Sequence, residues 1–174
     1  MEPTARLSHF TGRDNKERIV DDVTLARAVH VFGVVLWIGG VAFVTTVLLP
    51  AVKRLKEPGE RVAFFERIER AFAWQARGTT VLVGLSGLYM VHAWDLWDRF
   101  TEPAYWWMHA MVAVWAVFTI MLFVAEPLFL HRWFQRRAES RPEQTFALIQ
   151  RLHWLLLAIS LVTVVGAVLG SHGL

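Results

Sequence analysis

In four places along this chain the apolar residues run on without interruption. Residues 28–52, 78–94, 103–125 and 152–174 contain no Asp, Glu, Lys or Arg. A helix rises ~1.5 Å per residue, so a ~30 Å hydrocarbon core takes about 20 residues, within a usual range of about 17 to 25. Each run falls in that range. Each is also about twice as long as a membrane barrel strand and lacks a barrel strand's alternation. Hydrocarbon offers the backbone no partner, so a run of this kind must bond within itself, as a helix. The pattern predicts an all-α integral membrane four-helix up-and-down bundle. Its spans are expected at about 24–52, 76–98, 103–131 and 150–172, behind a polar N-terminal tail of residues 1–23. Between residues 58 and 74 the pattern changes: Val62, Phe65, Ile68 and Phe72 recur at helical spacing among charges. That predicts an amphipathic extension along the membrane surface or leading into the second span.

Composition agrees. Of 174 residues 55% are hydrophobic and 19% charged, against a usual ~25% charged, and mean hydropathy is +0.39. A soluble globular enzyme, a disordered tail and a nucleic-acid binder are excluded on this reading. There is no cysteine, which excludes disulfide frameworks, iron–sulfur clusters and thiolate metal sites. The first 24 residues hold no apolar stretch of the kind a cleavable signal needs, so the first span is expected to direct insertion itself.

The basic residues indicate orientation rather than an acidic partner. Lys53, Arg54, Lys56, Arg61, Arg67, Arg70 and Arg77 lie between the first two runs, and Arg132, Arg136, Arg137, Arg141 and Arg151 between the last two. The connection between the second and third runs has Arg99 against Asp95, Asp98 and Glu102. By the positive-inside rule both long loops face the cytoplasm and both termini lie outside, in a multi-pass protein of the bacterial inner membrane. Trp94, Trp97, Trp106 and Trp107 form an aromatic belt at one face, and Trp74, Trp133 and Trp154 at the other. Trp37 and Trp115 lie deeper and are expected to pack inside.

The histidines carry the candidate chemistry. His30, His92, His109 and His172 lie one on each span, all toward the outer end. Ionisable groups inside spans are costly, which favours function. In a sequentially connected bundle spans one and three are diagonal, as are two and four, so His30 is expected to face His109, and His92 to face His172. Two facing imidazoles suit a six-coordinate heme b iron, and the same histidines suit copper or zinc. Gly33, Gly39, Gly40, Gly84, Ser86, Gly87, Ala110, Ala113, Ala116, Ser160, Thr163, Gly166 and Gly170 would make room for a porphyrin, although small residues also serve close helix packing. At the inner end Glu126, His131, His153, Arg77 and Arg151 form a second group, expected to make an ion pair or relay protons.

These stretches resemble a known superfamily. The first span reads Ala-Val-His30-Val-Phe-Gly-Val-Val-Leu-Trp37-Ile-Gly-Gly, and the entry to the second Phe65-Glu-Arg-Ile-Glu-Arg70, continuing to Gly84-Leu-Ser-Gly-Leu-Tyr-Met90. The third opens Trp106-Trp-Met-His109-Ala-Met111 and the fourth Arg151-Leu-His-Trp. Over most of residues 25–172 this resembles the small four-helix membrane proteins that include HemJ-type protoporphyrinogen oxidases and CopD-like copper-resistance proteins. The resemblance implies a heme b site in which His30 is important. In the HemJ type the third-span histidine is followed two residues later by an essential lysine. Here His109 matches the histidine and Met111 stands at the lysine position, so the resemblance does not carry that oxidase activity over.

The expectation is therefore a heme b-binding membrane protein working in electron transfer or as an oxidoreductase at the outer face. Its partners would be the lipid bilayer, a quinol or a periplasmic redox protein, with a homo-oligomer open and no nucleic acid. The alternative is a copper-handling protein using the same cluster of His30, His92, His109 and His172.

Overall fold

The computed structural model describes the backbone of residues 4–172 and the side chains of residues 21–130 and 132–172. Helix α1 runs Thr4–Phe43, passes through a π-helical segment at Val44–Leu48 and continues as α2, Leu49–Leu55. Helix α3 is Pro58–Ala93. Two 3-10 turns, Trp97–Thr101 and Pro103–Tyr105, lead to α4, Trp106–Ile120, whose continuation Met121–Leu130 is π-helical. Helix α5 is His131–Ser140 and α6 is Pro142–Ser171. Every described element is helical.

The boundaries have local causes. Pro58 and Pro142 each occupy a first helical position, where a missing N–H costs nothing. The residue before each proline is barred from the α region. Glu57 is accordingly extended (ψ 150°), and Arg141 leaves the helical region (φ −142°, ψ 65°). That break at Arg141 separates α5, which the charge pattern had merged into a loop, from α6. At the far end of α3, Asp95 has φ 51°. Asp95 N–H donates to the His92 carbonyl (3.2 Å) and Leu96 N–H to that of Val91 (2.9 Å). This is a Schellman ending with Asp in the left-handed position that glycine usually takes. It stops α3 at Ala93, five residues before the expected end, and the remainder of that stretch forms the turns.

Helix α1 packs along α3, and α4 against α6; α3 also meets α6 and α4. Trp37, Ile38, Val41, Val83, Phe118 and Leu157, drawn from α1, α3, α4 and α6, form one buried cluster. Trp37 meets Phe118 edge to face, their ring centroids 4.9 Å apart. A second cluster, including Leu49, Val62, Phe65 and Phe146, closes the end that carries the basic loops.

Three stretches are long and apolar enough to cross a membrane: Asp21–Leu55, Pro103–Leu130 and Pro142–Ser171. Only 33%, 17% and 22% of their most apolar windows is covered by protein, so Val35, Val117 and Val162 point outward. Such uncovered apolar surface is what a lipid-facing helix presents. Helix α3 is not among the three. Its charge-free run 78–94 is the shortest and is interrupted by Thr79, Thr80, Gly84, Ser86, Gly87 and His92. The amphipathic segment and the second apolar run are one continuous helix, as one of the two sequence expectations had it.

Candidate functional site

Two levels of the bundle hold chemistry-bearing side chains: the hairpin end, near the turns after α3, and the basic end, near α2 and α5.

At the hairpin end His30 is partly buried and turned toward α3. Its Nδ1 lies 3.0 Å from the Val83 carbonyl and 3.1 Å from Ser86 Oγ. Ser86 Oγ already donates to the Leu82 carbonyl at 2.6 Å, so both of His30's neighbours are acceptors. Nδ1 therefore carries the proton, and Nε2 keeps a lone pair. A ring N–H anchored on a carbonyl is the usual support of a metal-ligating histidine. The ring lies over Gly87, where an added Cβ would stand 3.2 Å from His30 Cε1.

The other three histidines of that layer are exposed. His109 donates from Nε2 to the Phe100 carbonyl (3.0 Å) and packs edge-on against the Phe100 ring. His172 donates from Nδ1 to the Val168 carbonyl (2.8 Å). His30 is thus bonded to α3 and His109 to the turn before its own helix. Among the described residues no three His, Cys, Asp or Glu side chains group so as to hold a metal ion.

Four of the glycine hollows are filled. An added Cβ at Gly84 would meet the Trp115 indole at 2.7 Å, and one at Gly166 the Trp106 ring at 2.5 Å. Gly170 likewise receives Trp107, and Gly40 receives Phe72. Trp115 is held there by its N–H, 2.9 Å from the Thr80 carbonyl. These small residues seat aromatic rings of neighbouring helices. As a heme site, then, His30 offers a fitting donor, but the hollows at Gly40, Gly84, Gly166 and Gly170 are already occupied, while Gly39 has open space beside it.

At the basic end Arg77 of α3 reaches across to the π-helical segment. Its terminal nitrogen is 3.2 Å from Glu126 Oε2, and its Nε donates to the Leu122 carbonyl at 3.1 Å. The second bond follows from Pro127. In a π-helix the N–H of residue i bonds the carbonyl of i−5. Residue 127 would serve Leu122, but proline has no N–H. Arg77 supplies the missing donor and pairs with the neighbouring carboxylate. The expectation that Glu126 pairs with an arginine holds, with Arg77 as the partner. The side chain of His131 lies outside the described residues.

Beside this pair is a cavity of about 40 Å³ lined by Trp37, Glu69, Phe72, Phe118 and His153, among others. Glu69 escaped the sequence reading. A signal existed: Val62, Phe65, Glu69, Ala73 and Ala76 follow at intervals of three and four, placing Glu69 on the stripe that the structure buries. Ile68, which was placed on that stripe, is instead 36% exposed. Glu126 and Glu66 are close enough for their charges to bear on Glu69. His153 donates from Nδ1 to the Ile149 carbonyl (2.9 Å), leaving Nε2 as an acceptor, and packs edge-on against Phe65. Trp37 is 3% exposed, and its indole N–H is buried without a partner.

Fold and site together define a helical chain with three helices able to cross a membrane and polar side chains turned inward at two levels. No family model, curated protein or solved structure matches it. The likeness to HemJ-type and CopD-like proteins therefore rests on the residues quoted for it.

Proposed function

We propose that this chain is a four-span bundle of the bacterial inner membrane, with α3 as the fourth span and the hairpin end outside, and that it binds heme b through His30. The supporting observation is the Nδ1–H of His30 held by the Val83 carbonyl and Ser86 Oγ, which leaves a neutral imidazole with its lone pair at Nε2. In this reading His109 is the second ligand and His92 with His172 a further pair. Bound heme supplies a one-electron couple; the partner is a quinol or a periplasmic redox protein, and the likeness to HemJ-type proteins points the same way. What the chain itself contributes is ligand orientation: α3 holds the His30 ring by two hydrogen bonds and by its packing on Gly87.

Copper is the second reading, and the filled glycine hollows favour it, because a single ion on imidazole nitrogen needs no slot between helices.

An absorption spectrum of the detergent-purified protein, oxidised and then reduced with dithionite, tests both, with metal analysis on the same sample. Heme predicts a Soret band and sharp α and β bands on reduction, lost in His30→Ala. Copper predicts stoichiometric metal without those bands, again lost in His30→Ala. Cofactor-replete protein with neither overturns both.

A further inference from the structure

We infer that the cavity at the basic end is a hydrated proton-exchange site, in which water joins Glu69 of α3 to His153 of α6 and is anchored by the indole N–H of Trp37. Three observations meet here, independently of any ligand on His30. The first is space. A cavity needs about 10–15 Å³ to admit a water, which must find two to four polar partners, and this one offers about 40 Å³. The second is an unspent donor. Trp37 Nε1–H is buried without a partner among the described residues, on a side chain in the wall of the same cavity, and such a group is costly unless something accepts from it. The third is a pair of groups that exchange protons. The Glu69 side chain makes no hydrogen bond or ion pair among the described residues, and His153 presents Nε2 as an acceptor because its other nitrogen is bonded to Ile149.

A water accepting from Trp37 and bridging Glu69 to His153 gives all three groups a partner. Glu69 as a carboxylic acid passes its proton through that water to His153 Nε2. The products are a carboxylate and an imidazolium, and the reverse transfer restores the start; only O–H and N–H bonds change. The charged groups around Glu69 are few. Glu66 lies on its own helix and receives Gln135 of α5 (3.1 Å). Glu126 comes from the segment after α4 and is paired with Arg77. Helix α6 supplies His153, and α1 with the π-helical segment after it lines the cavity with Trp37, Val41 and Val44, none of them charged. Arg77 is thus committed to Glu126, and His153 is the basic residue among those lining the cavity with Glu69.

The test is infrared spectroscopy of the full-length protein in lipid vesicles, following the carboxylic-acid C=O band across pH and on transfer to D2O. The expected result is a pH-dependent band that shifts in D2O and is absent from Glu69→Gln. Trp37→Phe keeps the ring against Phe118 and removes only the N–H. It should leave the band in place and slow its D2O shift about fivefold, the factor one lost hydrogen bond commands. His153→Gln should leave the band but abolish the matching imidazolium signal. If Glu69→Gln removes no band at any pH, the proposal fails. It fails equally if the Glu69 band never shifts in D2O, since the cavity is then dry. Helical circular dichroism of each variant identifies any that has not folded.

Discussion

The hairpin end and the basic end both gather polar side chains, but they do so differently. At the hairpin end four histidines occupy one level, yet only His30 bonds to another helix; His109 and His172 spend a ring nitrogen close by in sequence, and three of the four are exposed. At the basic end fewer groups of more varied kind are drawn inward from α1, α3, α6 and the π-helical segment, around an ion pair and a cavity. Counting along helices finds residues at the same height. A site also needs them at the same azimuth, and cross-helix bonds are the evidence for that.

The largest effect that would break this contrast lies at the basic end. Arg77→Met strips both Glu126 and the Leu122 carbonyl of their partner. Arg77 and Glu126 are 22% and 29% exposed, so the loss should fall between that of surface and fully buried pairs, about 2–3 kcal/mol. Denaturation in mixed micelles measures it. Glu126→Gln retains an acceptor for Arg77 and should cost less, about 1 kcal/mol. If the two variants behaved alike, the Leu122 bond would have no weight. Next comes Gly84→Ala, whose Cβ would meet Trp115 at 2.7 Å. It should cost about 1–3 kcal/mol by overpacking, read in the same assay. Were the cost absent, the hollow would be loose enough to reopen the case for an interhelical porphyrin there. Ser86→Ala removes one of two acceptors from His30 and should cost about 1 kcal/mol, with weaker binding of whatever His30 ligates, followed by titration. The smallest effect is His92→Ala. His92 is exposed and its side chain makes no hydrogen bond among the described residues, so stability should change by less than about 0.5 kcal/mol. Loss of a bound cofactor in that variant would bring His92 into the hairpin-end site and narrow the difference between the two ends.

Much of the architecture was legible. Absence of charge marked α1, α4 and α6, because burial in hydrocarbon leaves a long run no alternative to the helix. The apolar phase of Val62, Phe65 and Phe72 marked the first half of α3. Trp37 was legible as a core residue, since it sits far from either interface. Other features were hidden for identifiable reasons. The ending at Asp95 depends on a left-handed residue that need not be glycine. The break at Arg141 follows from Pro142, but in a polar stretch it reads as loop. The role of Arg77 required two facts at once, a π-helical register around Pro127 and the placement of α3 beside it. For the histidine layer the sequence gives a position along each helix, but azimuth is not visible along a single helix when apolar residues surround it on every side.

The bond from Arg77 to the Leu122 carbonyl also says something about time. A chain is made from its N-terminus, so Arg77 emerges before either of its partners exists. At that stage α3 carries an unneutralised guanidinium and the least apolar of the four runs. The charge-free stretch 28–52 offers it packing but no counter-charge. If α3 is the proposed fourth span, it would become acceptable only once the segment bearing Leu122, Glu126 and Pro127 had arrived. The two would then enter as a hairpin, already folded back at Asp95, and the proline that interrupts one helix would be what lets the other stay.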